Sequence, residues 1–312
     1  MLDNQQFKQF TDTLRRSEAI VKRMFPIEDQ IKSLDVKNLR WTNVGPDVLF
    51  DVEKQKQAKL KEHSLNAVLV GDATLTDLTT HKVIDSIAKY PILSIPHLTM
   101  NGGYIVDGKE RQVINQFRLR PGLYTRFTGD DNVEVFMNTT AVGTYKILLD
   151  RSTGIIRMRV GTTARTPIYS VLHAMGLNEG EIKNLLGASL FAENKAAANL
   201  ERDIPKLLKR MRPYLVQPPE LLEKSKLVRQ YLESKPLDPE VNKVTVGEAL
   251  DKIDRRAVEV AVTKAIKLSK GEEKADDTES LAFKYILSVE DFIPERLEKS
   301  VEGIKYKLLG DL

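Results

Sequence analysis

The sequence predicts an α+β protein with two domains. Its 312 residues are enough for two domains that each bury a core. Two patterns support the class. The first half alternates short β-branched and aromatic runs with turn residues, and its strongest hairpin signal is Asp107-Gly108 between two such runs. After Thr166-Pro167 the apolar residues recur at helical spacing instead.

An amphipathic helix is predicted first, over residues 4 to 24. Its apolar stripe has spacings of three, four and seven, and consists of Phe7, Phe10, Leu14, Val21 and Met24. Strands are predicted next, at 39–42, 48–52, 67–70 and 133–137, with turns at Gly45-Pro46 and Gly71-Asp72. A second hairpin pairs 145–149 with 155–160 through a polar turn at 150–154.

The second half is predicted to be helical. Pro167 suits the first turn of a helix that ends at Gly176. Asn178 and Glu181 have the spacing of a capping box, which predicts that another helix begins there. Further helices are predicted at 196–215, 219–233, 246–270 and 288–309, with prolines between them.

Composition excludes several classes of protein. Hydrophobic residues make up 41% and charged residues 29%, as in ordinary soluble domains. No run of about 18 apolar residues occurs, so we expect no membrane partner. The first residues lack the basic leader and apolar core of a signal peptide, so a cytoplasmic location is expected. Because cysteine is absent, disulfides, thiolate metal sites and cysteine nucleophiles are excluded.

Basic residues are concentrated in one segment. Between Pro96 and Ser170 there are ten Lys or Arg against six acids, a difference of four that equals the net charge of the whole chain. Eight of the ten are arginines, which suit bidentate phosphate contacts. A solvated sheet face explains this pattern as well as a nucleic-acid interface does.

Three ordered motifs carry a resemblance to a known family. The first is the run Ile-Pro-His-Leu-Thr-Met-Asn-Gly-Gly-Tyr-Ile-Val-Asp-Gly-Lys-Glu-Arg at 95–111, followed by Arg118-Leu119-Arg120-Pro121-Gly122. The second extends from Gly143-Thr144-Tyr145 to Thr166-Pro167, and the third is Gly-Glu-Glu-Lys-Ala-Asp-Asp-Thr-Glu-Ser-Leu at 271–281. Together they resemble the β subunit of multisubunit DNA-directed RNA polymerase, in the family's order. Residues 1 to 89 match weakly.

The resemblance implies a fold and a function. It implies a mixed strand and helix protrusion domain of residues 1–125, completed by 286–312, with a largely helical lobe inserted at 126–285. In the family these domains form one wall of the DNA cleft. The implied function is that of an N-terminal β-subunit fragment that contacts downstream DNA and the non-template strand during transcription. The alternative is a free-standing regulator that mimics these domains and binds DNA or a host polymerase.

The resemblance also implies partners. These are the chain that carries the rest of β, β′-type subunits, a σ-like specificity factor, and both double-stranded and non-template DNA. A β piece of this length suits the split subunits of giant-phage polymerases or a truncated chain. If it is phage-encoded, we expect it in the host cytoplasm or the virion.

Three residues match positions with roles in the family. Tyr145 matches a Trp that stacks on a flipped non-template base, while Glu279 and Lys284 match an Asp and an Arg of a base pocket. Leu119 departs from the family, which has Arg there. The wider set of expected DNA contacts comprises Arg118, Arg120, Arg157 and Arg159. The alternative is that Tyr145 is an ordinary strand aromatic and that Glu279 and Lys284 form a surface pair.

Catalysis is not expected on this chain. In the family an Asp-x-Asp-Gly-Asp loop on another subunit binds magnesium, and no such loop occurs here, so we expect no cofactor on this chain and magnesium on a partner. The paired acids Asp130-Asp131 and Asp276-Asp277 are interpreted as solvated. The four basic residues Lys206, Lys209, Arg210 and Arg212 are interpreted as a solvated helix face, with duplex phosphate as the alternative ligand.

Overall fold

The computed structural model describes residues 4–29, 31–49, 51–129, 132–139, 145–161, 164–213 and 215–311. It contains helices and antiparallel sheets, which confirms the predicted α+β class. The chain divides into two compact units: Met1–Gln116 with Ile286–Leu312, and Phe117–Tyr285. Residue 125, the predicted boundary, lies within a strand of the second unit.

Most strands lie in the first half of the chain and most helices in the second. The helices are α1 (Asn4–Lys22), α2 (Pro46–Leu49), α3 (Val52–Leu60), α4 (Ile168–Ala174), α5 (Glu179–Leu186), α6 (Ala188–Ala196), α7 (Leu200–Met211), α8 (Leu221–Glu233), α9 (Pro239–Thr245), α10 (Arg255–Ser269) and α11 (Val289–Asp311), with a 3-10 helix at Leu281–Phe283. The strands are β1 (Ile27–Glu28), β2 (Lys32–Thr42), β3 (Asn66–Asp77), β4 (Val83–Pro96), β5 (Tyr104–Val106), β6 (Lys109–Arg111), β7 (Gln116–Leu119), β8 (Gly122–Phe127), β9 (Val133–Asn138), β10 (Tyr145–Leu149), β11 (Ile156–Val160), β12 (Ala164–Pro167) and β13 (Lys284–Leu287).

The first unit is built on an antiparallel sheet of order β1-β2-β3-β4. Phe10 and Leu14 of α1 pack with Ile95 of β4 in its core. Helix α1 also lies against α11, and the two are joined by ion pairs from Arg16 to Asp291 at 2.7 Å and from Arg23 to Glu298 at 2.9 Å. The N-terminal and C-terminal helices are therefore parts of one packed unit.

The predicted Asp-Gly hairpin is confirmed. Strands β5 and β6 pair with Val106 opposite Lys109, which leaves Asp107 and Gly108 as the two turn residues. Their φ angles are +49° and +72°. Positive φ at both positions is the requirement of a type I′ turn, whose twist matches that of the strands.

The second unit has an antiparallel sheet of order β12-β11-β10-β9-β8. Alternate residues of each strand point into a core shared with α4, α7 and α10. Ile147 and Met158 are opposite each other in the register and have no exposed surface. The residues between such core positions point away from the helices. We call the surface that they form the outer face.

Two local predictions were wrong. Residues 48–52 were expected to form a strand, but α2 ends at Leu49 and α3 begins at Val52. The reason is Asp51, whose carboxylate accepts the backbone N–H of Lys54 at 2.9 Å and so caps α3. The predicted turn at Gly71 instead lies inside β3, where a Cβ would come within 2.6 Å of Val36 Cγ1. This glycine permits close packing, not a turn.

The predicted starts of two helices are confirmed, whereas the predicted lengths and number of the helices were less accurate. Asn178 and Glu181 make both bonds of the predicted capping box, and α4 begins directly after Pro167. The helix predicted at 246–270 is shorter, as α10, and α6 and α9 were not predicted. Among the described residues, none of the helices is long and apolar enough to cross a membrane.

Candidate nucleic-acid interface

The third sequence motif runs along the edge strand of the second sheet. We call residues 276–284 the motif segment. At its start, Asp276 Oδ2 accepts hydrogen bonds from the backbone N–H and the hydroxyl of Thr125 in β8, each at 2.7 Å. The N–H of Asp276 returns a bond of 3.0 Å to the Thr125 carbonyl. The segment is therefore anchored to the edge of β8 at Asp276, by two hydrogen bonds to its carboxylate and one from its backbone N–H.

A buried lysine completes this attachment. Lys264 of α10 donates to both carboxylate oxygens of Asp276, at 3.0 and 2.9 Å, and also to the Thr245 carbonyl. Its side chain is only 7% exposed. The sequence suggested that Asp276 is a solvated acid. In the structure it has a structural role instead, because a buried ammonium needs a compensating charge.

The motif segment brings Glu279 and Lys284 together. Lys284 Nζ donates to Glu279 Oε2 at 2.7 Å. The Glu279 side chain is 85% exposed, whereas that of Lys284 is 18% exposed. The Glu279 carboxylate therefore lies in solvent and the Lys284 ammonium is partly buried. The two residues form an ion pair at the surface, which was the alternative to a base pocket. Because the Glu279 carboxylate is exposed, solvent screens the pair, which contributes about 0 to 1 kcal/mol of stability, and Glu279 can exchange Lys284 for a ligand.

Two further contacts hold the end of the segment on the sheet. The ring of Phe283 meets that of Tyr124 edge to face, with centroids 5.6 Å apart, and its carbonyl accepts the Arg120 N–H at 2.7 Å. The Arg120 guanidinium donates to Asp238 at 2.9 and 2.6 Å, so this predicted DNA contact already has a carboxylate partner. Arg118, on β7, is partly exposed.

The outer face carries the other two predicted arginines. One cross-strand row joins Tyr124, Phe136, Lys146, Arg159 and Arg165, and the next joins Arg126, Glu134, Leu148, Arg157 and Pro167. Five of these ten residues are cationic and one is anionic. Among the described residues, neither Arg157 nor Arg165 forms an ion pair, so their guanidinium groups are available to an anion.

Glu134 lies beneath these cations. Its side chain is 3% exposed and accepts from Arg126 Nε at 2.9 Å and from Lys146 Nζ at 2.8 Å, while Arg159 Nη2 lies 3.9 Å away. Arg159 Nε is buried and has no hydrogen-bond partner within the described ranges. One buried carboxylate therefore fixes two cations in place and leaves a third incompletely paired.

The predicted role of Tyr145 is wrong for this structure. Tyr145 has no exposed surface, and it lies in the core with Ile147 and Met158. Burial, and then the neighbouring Tyr231, raise the pKa of its hydroxyl. Because side chains alternate along a strand, Tyr145 shares the inward face with Ile147 and Leu149, so it cannot stack on a base. The preceding residues of this motif, Gly143-Thr144, lie outside the described residues.

The predicted residues therefore form two groups instead of one pocket. Glu279 and Lys284 lie on the motif segment, whose Asp276 is bonded to β8, and Arg157 and Arg159 lie on β11, three strands from β8. With strands about 4.8 Å apart, that separation is roughly 14 Å. Both groups belong to the second unit.

Sequence reasoning missed the residues that organise the outer face. Glu134, Phe136 and Lys146 were not singled out as site residues, and Arg126 and Arg165 were only counted in the basic segment. Their alternation with buried Val135, Ile147 and Met158 was the available signal. It shows that these residues share one face, although not which of them are paired.

Groups of three or more potential metal ligands are absent from the described part of the chain. Asp276 is occupied by Lys264 and Thr125, and the other paired acids, Asp130-Asp131, lie outside the described residues.

Comparison with known proteins gives a consistent relationship at low identity. No family model matches the chain. Curated relatives named DNA-directed RNA polymerase subunit beta are 23% identical over 316 aligned positions in Oenococcus oeni and 24% identical over 296 in Oceanobacillus iheyensis, covering 91% and 89% of this chain. A relative of the same name in Cyanidioschyzon merolae is 32% identical over 127 positions, or 38% of the chain.

These relatives are subunits of a nucleotidyltransferase complex. They support a relationship of this chain to the β-subunit family of DNA-directed RNA polymerase. The alignments cover 25%, 24% and 12% of the three relatives, so the chain spans a quarter of their length or less.

Proposed function

We propose that this chain is a non-catalytic β-subunit fragment of a multisubunit DNA-directed RNA polymerase, in which it forms one wall of the DNA cleft. The observation that carries the proposal is the similarity to β subunits over about nine-tenths of the chain. The three ordered motifs fall within that span. The first unit then corresponds to the protrusion and the second to the lobe.

The described geometry supports a binding role in the second unit. The exposed Glu279 and the partly buried Lys284 form a pair that can open toward a base, because the carboxylate accepts from amino groups and the ammonium donates to ring or carbonyl acceptors. Arg157 and Arg159 present cations on the outer face. Arg118 and Arg120 lie near the motif segment, where phosphate is the expected ligand. Magnesium and the nucleotidyl-transfer step belong to partner subunits in this proposal.

Assembly is the first test. The chain, carrying an affinity tag, is co-expressed with the chain bearing the rest of β, the β′-type subunits and the σ-like factor. We expect it in an active complex purified through the tag on a different subunit, with no RNA synthesis by this chain alone. Template-dependent synthesis by the isolated chain, or an active complex that lacks it, would overturn the proposal. Binding to an intact host polymerase as an extra component would instead support the regulator.

The role of the motif segment needs a separate test. In the assembled polymerase, Glu279→Gln and Lys284→Gln should each shorten the lifetime of the promoter open complex several-fold, while nucleotide addition on a preformed scaffold changes little. Glu272→Gln removes the charge of an exposed acid outside the motif segment and serves as the matched control. Equal effects of all three substitutions would show that the pair has no specific contact.

A further inference from the structure

We propose that a cleft in the first unit binds a small neutral nitrogen heterocycle of nucleoside size through the carboxamides of Asn43 and Asn66. The cleft has a volume of about 410 Å³. Its walls come from the end of β2, from α2 and α3, and from the start of β3, all of which belong to the first unit. The inference concerns a ligand and a site that the proposed function does not involve.

The size and the apolar wall of the cleft suit a small molecule. Sites for such ligands have volumes of roughly 300 to 1,000 Å³ and combine apolar walls with a few polar groups. Val48, Leu65 and Val68 supply the apolar wall here. Because side chains alternate along a strand, Val68 lies on the face of β3 opposite to Ala67, which packs in the core of the first unit. A flat ring can therefore lie against Val68 without disturbing that core.

Two carboxamides of the lining are free to bind a ligand. Neither the Asn43 nor the Asn66 side chain has a hydrogen-bond partner among the described residues. The pairing of β2 with β3 ends at Thr42 opposite Val68, so Asn43, which follows Thr42, and Asn66, two residues before Val68, lie at the same end of the ladder. A carboxamide has two donors and an acceptor in one plane, and it can pair with two atoms on the edge of a heterocycle such as adenine.

The charge of the cleft favours a neutral ligand. Of the described residues that line it, only Lys54 is charged, and its Nζ lies 3.2 Å from Asp51 Oδ2. The other oxygen of Asp51 accepts the backbone N–H of Lys54 at 2.9 Å, which fixes the carboxylate beside the ammonium. A phosphate group would meet both charges, so the pair gives little net attraction for an anion. A nucleic-acid strand is disfavoured for the same reason.

The backbone around the cleft disfavours a peptide ligand. An extended peptide binds a sheet by pairing with a free strand edge, but β3 has β2 on one side and β4 on the other. Leu65, just before β3, donates its N–H to the Ile105 carbonyl at 3.1 Å and accepts the His97 N–H at 2.7 Å. The Ser64 hydroxyl donates to Asp107 Oδ1 at 3.2 Å and accepts the Asp107 N–H at 3.0 Å. The two carboxamides are therefore the uncharged polar groups of the described lining that remain for a ligand.

Binding to the full chain alone tests the inference. The probe is adenosine, measured by isothermal titration calorimetry, and we expect a dissociation constant on the order of 0.1 mM for a ligand of this size. Adenosine monophosphate should bind no more tightly than adenosine, because Asp51 offsets the charge of Lys54. N-acetyl-leucine amide, an analogue of a peptide, should not compete with adenosine.

Two substitutions remove the carboxamides with little effect on the backbone. Asn43→Gly suits the observed φ of +57°, and Asn66→Ala keeps a side chain on the strand. Each should weaken adenosine binding about tenfold. Asn38→Gly is the matched control, because Asn38 also has a positive φ, +52°, but its carboxamide donates to Asp72 at 2.9 Å. It should change binding less than about twofold. Val68→Phe should fill the cleft and abolish binding with both carboxamides in place, and circular dichroism verifies that each variant is folded.

Several results would overturn the inference. These are the absence of adenosine binding at millimolar concentration, equal losses from Asn38→Gly and Asn43→Gly, or unchanged binding in Val68→Phe. Tighter binding of adenosine monophosphate would show an anion site, and preference for N-acetyl-leucine amide would show a peptide site. The assay needs no other subunit. Failure of the chain to join a polymerase would therefore leave the adenosine result standing, and the absence of adenosine binding would leave the assembly test unaffected.

Discussion

Lys264 Nζ lies 3.0 and 2.9 Å from the two carboxylate oxygens of Asp276, and this ion pair joins the last long helix of the second unit to the motif segment. Lys264 is 6% exposed as a whole residue. Glu279, Phe283 and Lys284 follow within eight residues of Asp276. The positions of these three residues therefore depend on the ion pair between Lys264 and Asp276.

The Asp276 anchor should be costly to remove. Asp276→Asn leaves the buried Lys264 ammonium without its counter-charge, and we expect the free energy of unfolding to fall by about 3 kcal/mol. Asp277→Asn, one residue on but exposed, should cost less than about 0.5 kcal/mol. Urea denaturation followed by circular dichroism measures both. Equal costs would mean that the Lys264 pair does not stabilise the second unit.

Tyr145 should behave as a core residue. Tyr145→Ala opens a cavity in the second unit and should cost about 3 to 5 kcal/mol, whereas Tyr145→Phe keeps the ring and should cost about 1 kcal/mol. Arg157→Ala on the outer face should cost under about 1 kcal/mol. Thermal and urea melts measure these effects. A Tyr145→Ala protein that is as stable as the wild type but defective in DNA binding would restore the stacking role.

His97 should make the first unit sensitive to mild acid. It has no exposed surface, its Nδ1 lies 2.6 Å from the Leu98 carbonyl, and its Nε2 has no partner among the described residues. Burial lowers its pKa below the ordinary value of 6.5, against smaller opposing effects of Leu98 and Asp47. The unfolded chain therefore binds the proton more readily. The stability that uncharged His97 contributes to the first unit is fully present above about pH 6.5 and is lost as the pH falls below that value.

Trp41 gives a local measurement of that effect, because it is the single tryptophan of the chain and packs against the core of the first unit. Its fluorescence during urea unfolding should show a lower midpoint at about pH 5.5 than at about pH 7.5. His97→Gln should reduce this difference, and His63→Gln, at an exposed position, should not. An unchanged pH dependence in His97→Gln would rule out His97 as the source.

The hairpin turn should tolerate no side chain at Gly108. A Cβ there would lie 2.7 Å from Glu62 Cα and 2.9 Å from the Lys59 carbonyl, and φ is +72°. Gly108→Ala should therefore destabilise the first unit by about 1 to 3 kcal/mol. Gly303→Ala, where a Cβ on α11 meets open space, should stabilise it by up to about 1 kcal/mol. Trp41 fluorescence distinguishes the two, and a neutral Gly108→Ala would contradict the packing.

Turns and helix caps could be predicted from the sequence where a few neighbouring residues determine the local structure. The Asp107-Gly108 turn and the Asn178 to Glu181 capping box are of this kind. Asp51 shows the limit: an acid between apolar residues was read as part of a strand, although it caps α3. A cap and a strand interruption look alike when only the apolar pattern is considered.

The candidate site was less readable because it depends on contacts between distant residues. The cations of the outer face were visible as a basic segment, but the burial of Glu134 among them requires the pairing of β8, β9, β10 and β11. Tyr145 was matched to a base-stacking Trp, but a motif match does not show whether a strand residue points into the core or away from it. The bond from Asp276 to Thr125 joins residues 151 positions apart, and sequence spacing carries no sign of it.

The hydrogen bonds at the edge of β8 determine how a shortened form of this protein would fail. Its outward-pointing amides at Leu123 and Thr125 are occupied by the side chains of Asn242, at 2.9 Å, and Asp276, at 2.7 Å. Because these two side chains accept the edge hydrogen bonds, a further strand cannot pair with β8 at these positions. A chain cut before Asp276 would leave the backbone N–H of Thr125 at this edge without its acceptor. Self-association into intermolecular sheets, and not simple unfolding, is then the failure to expect.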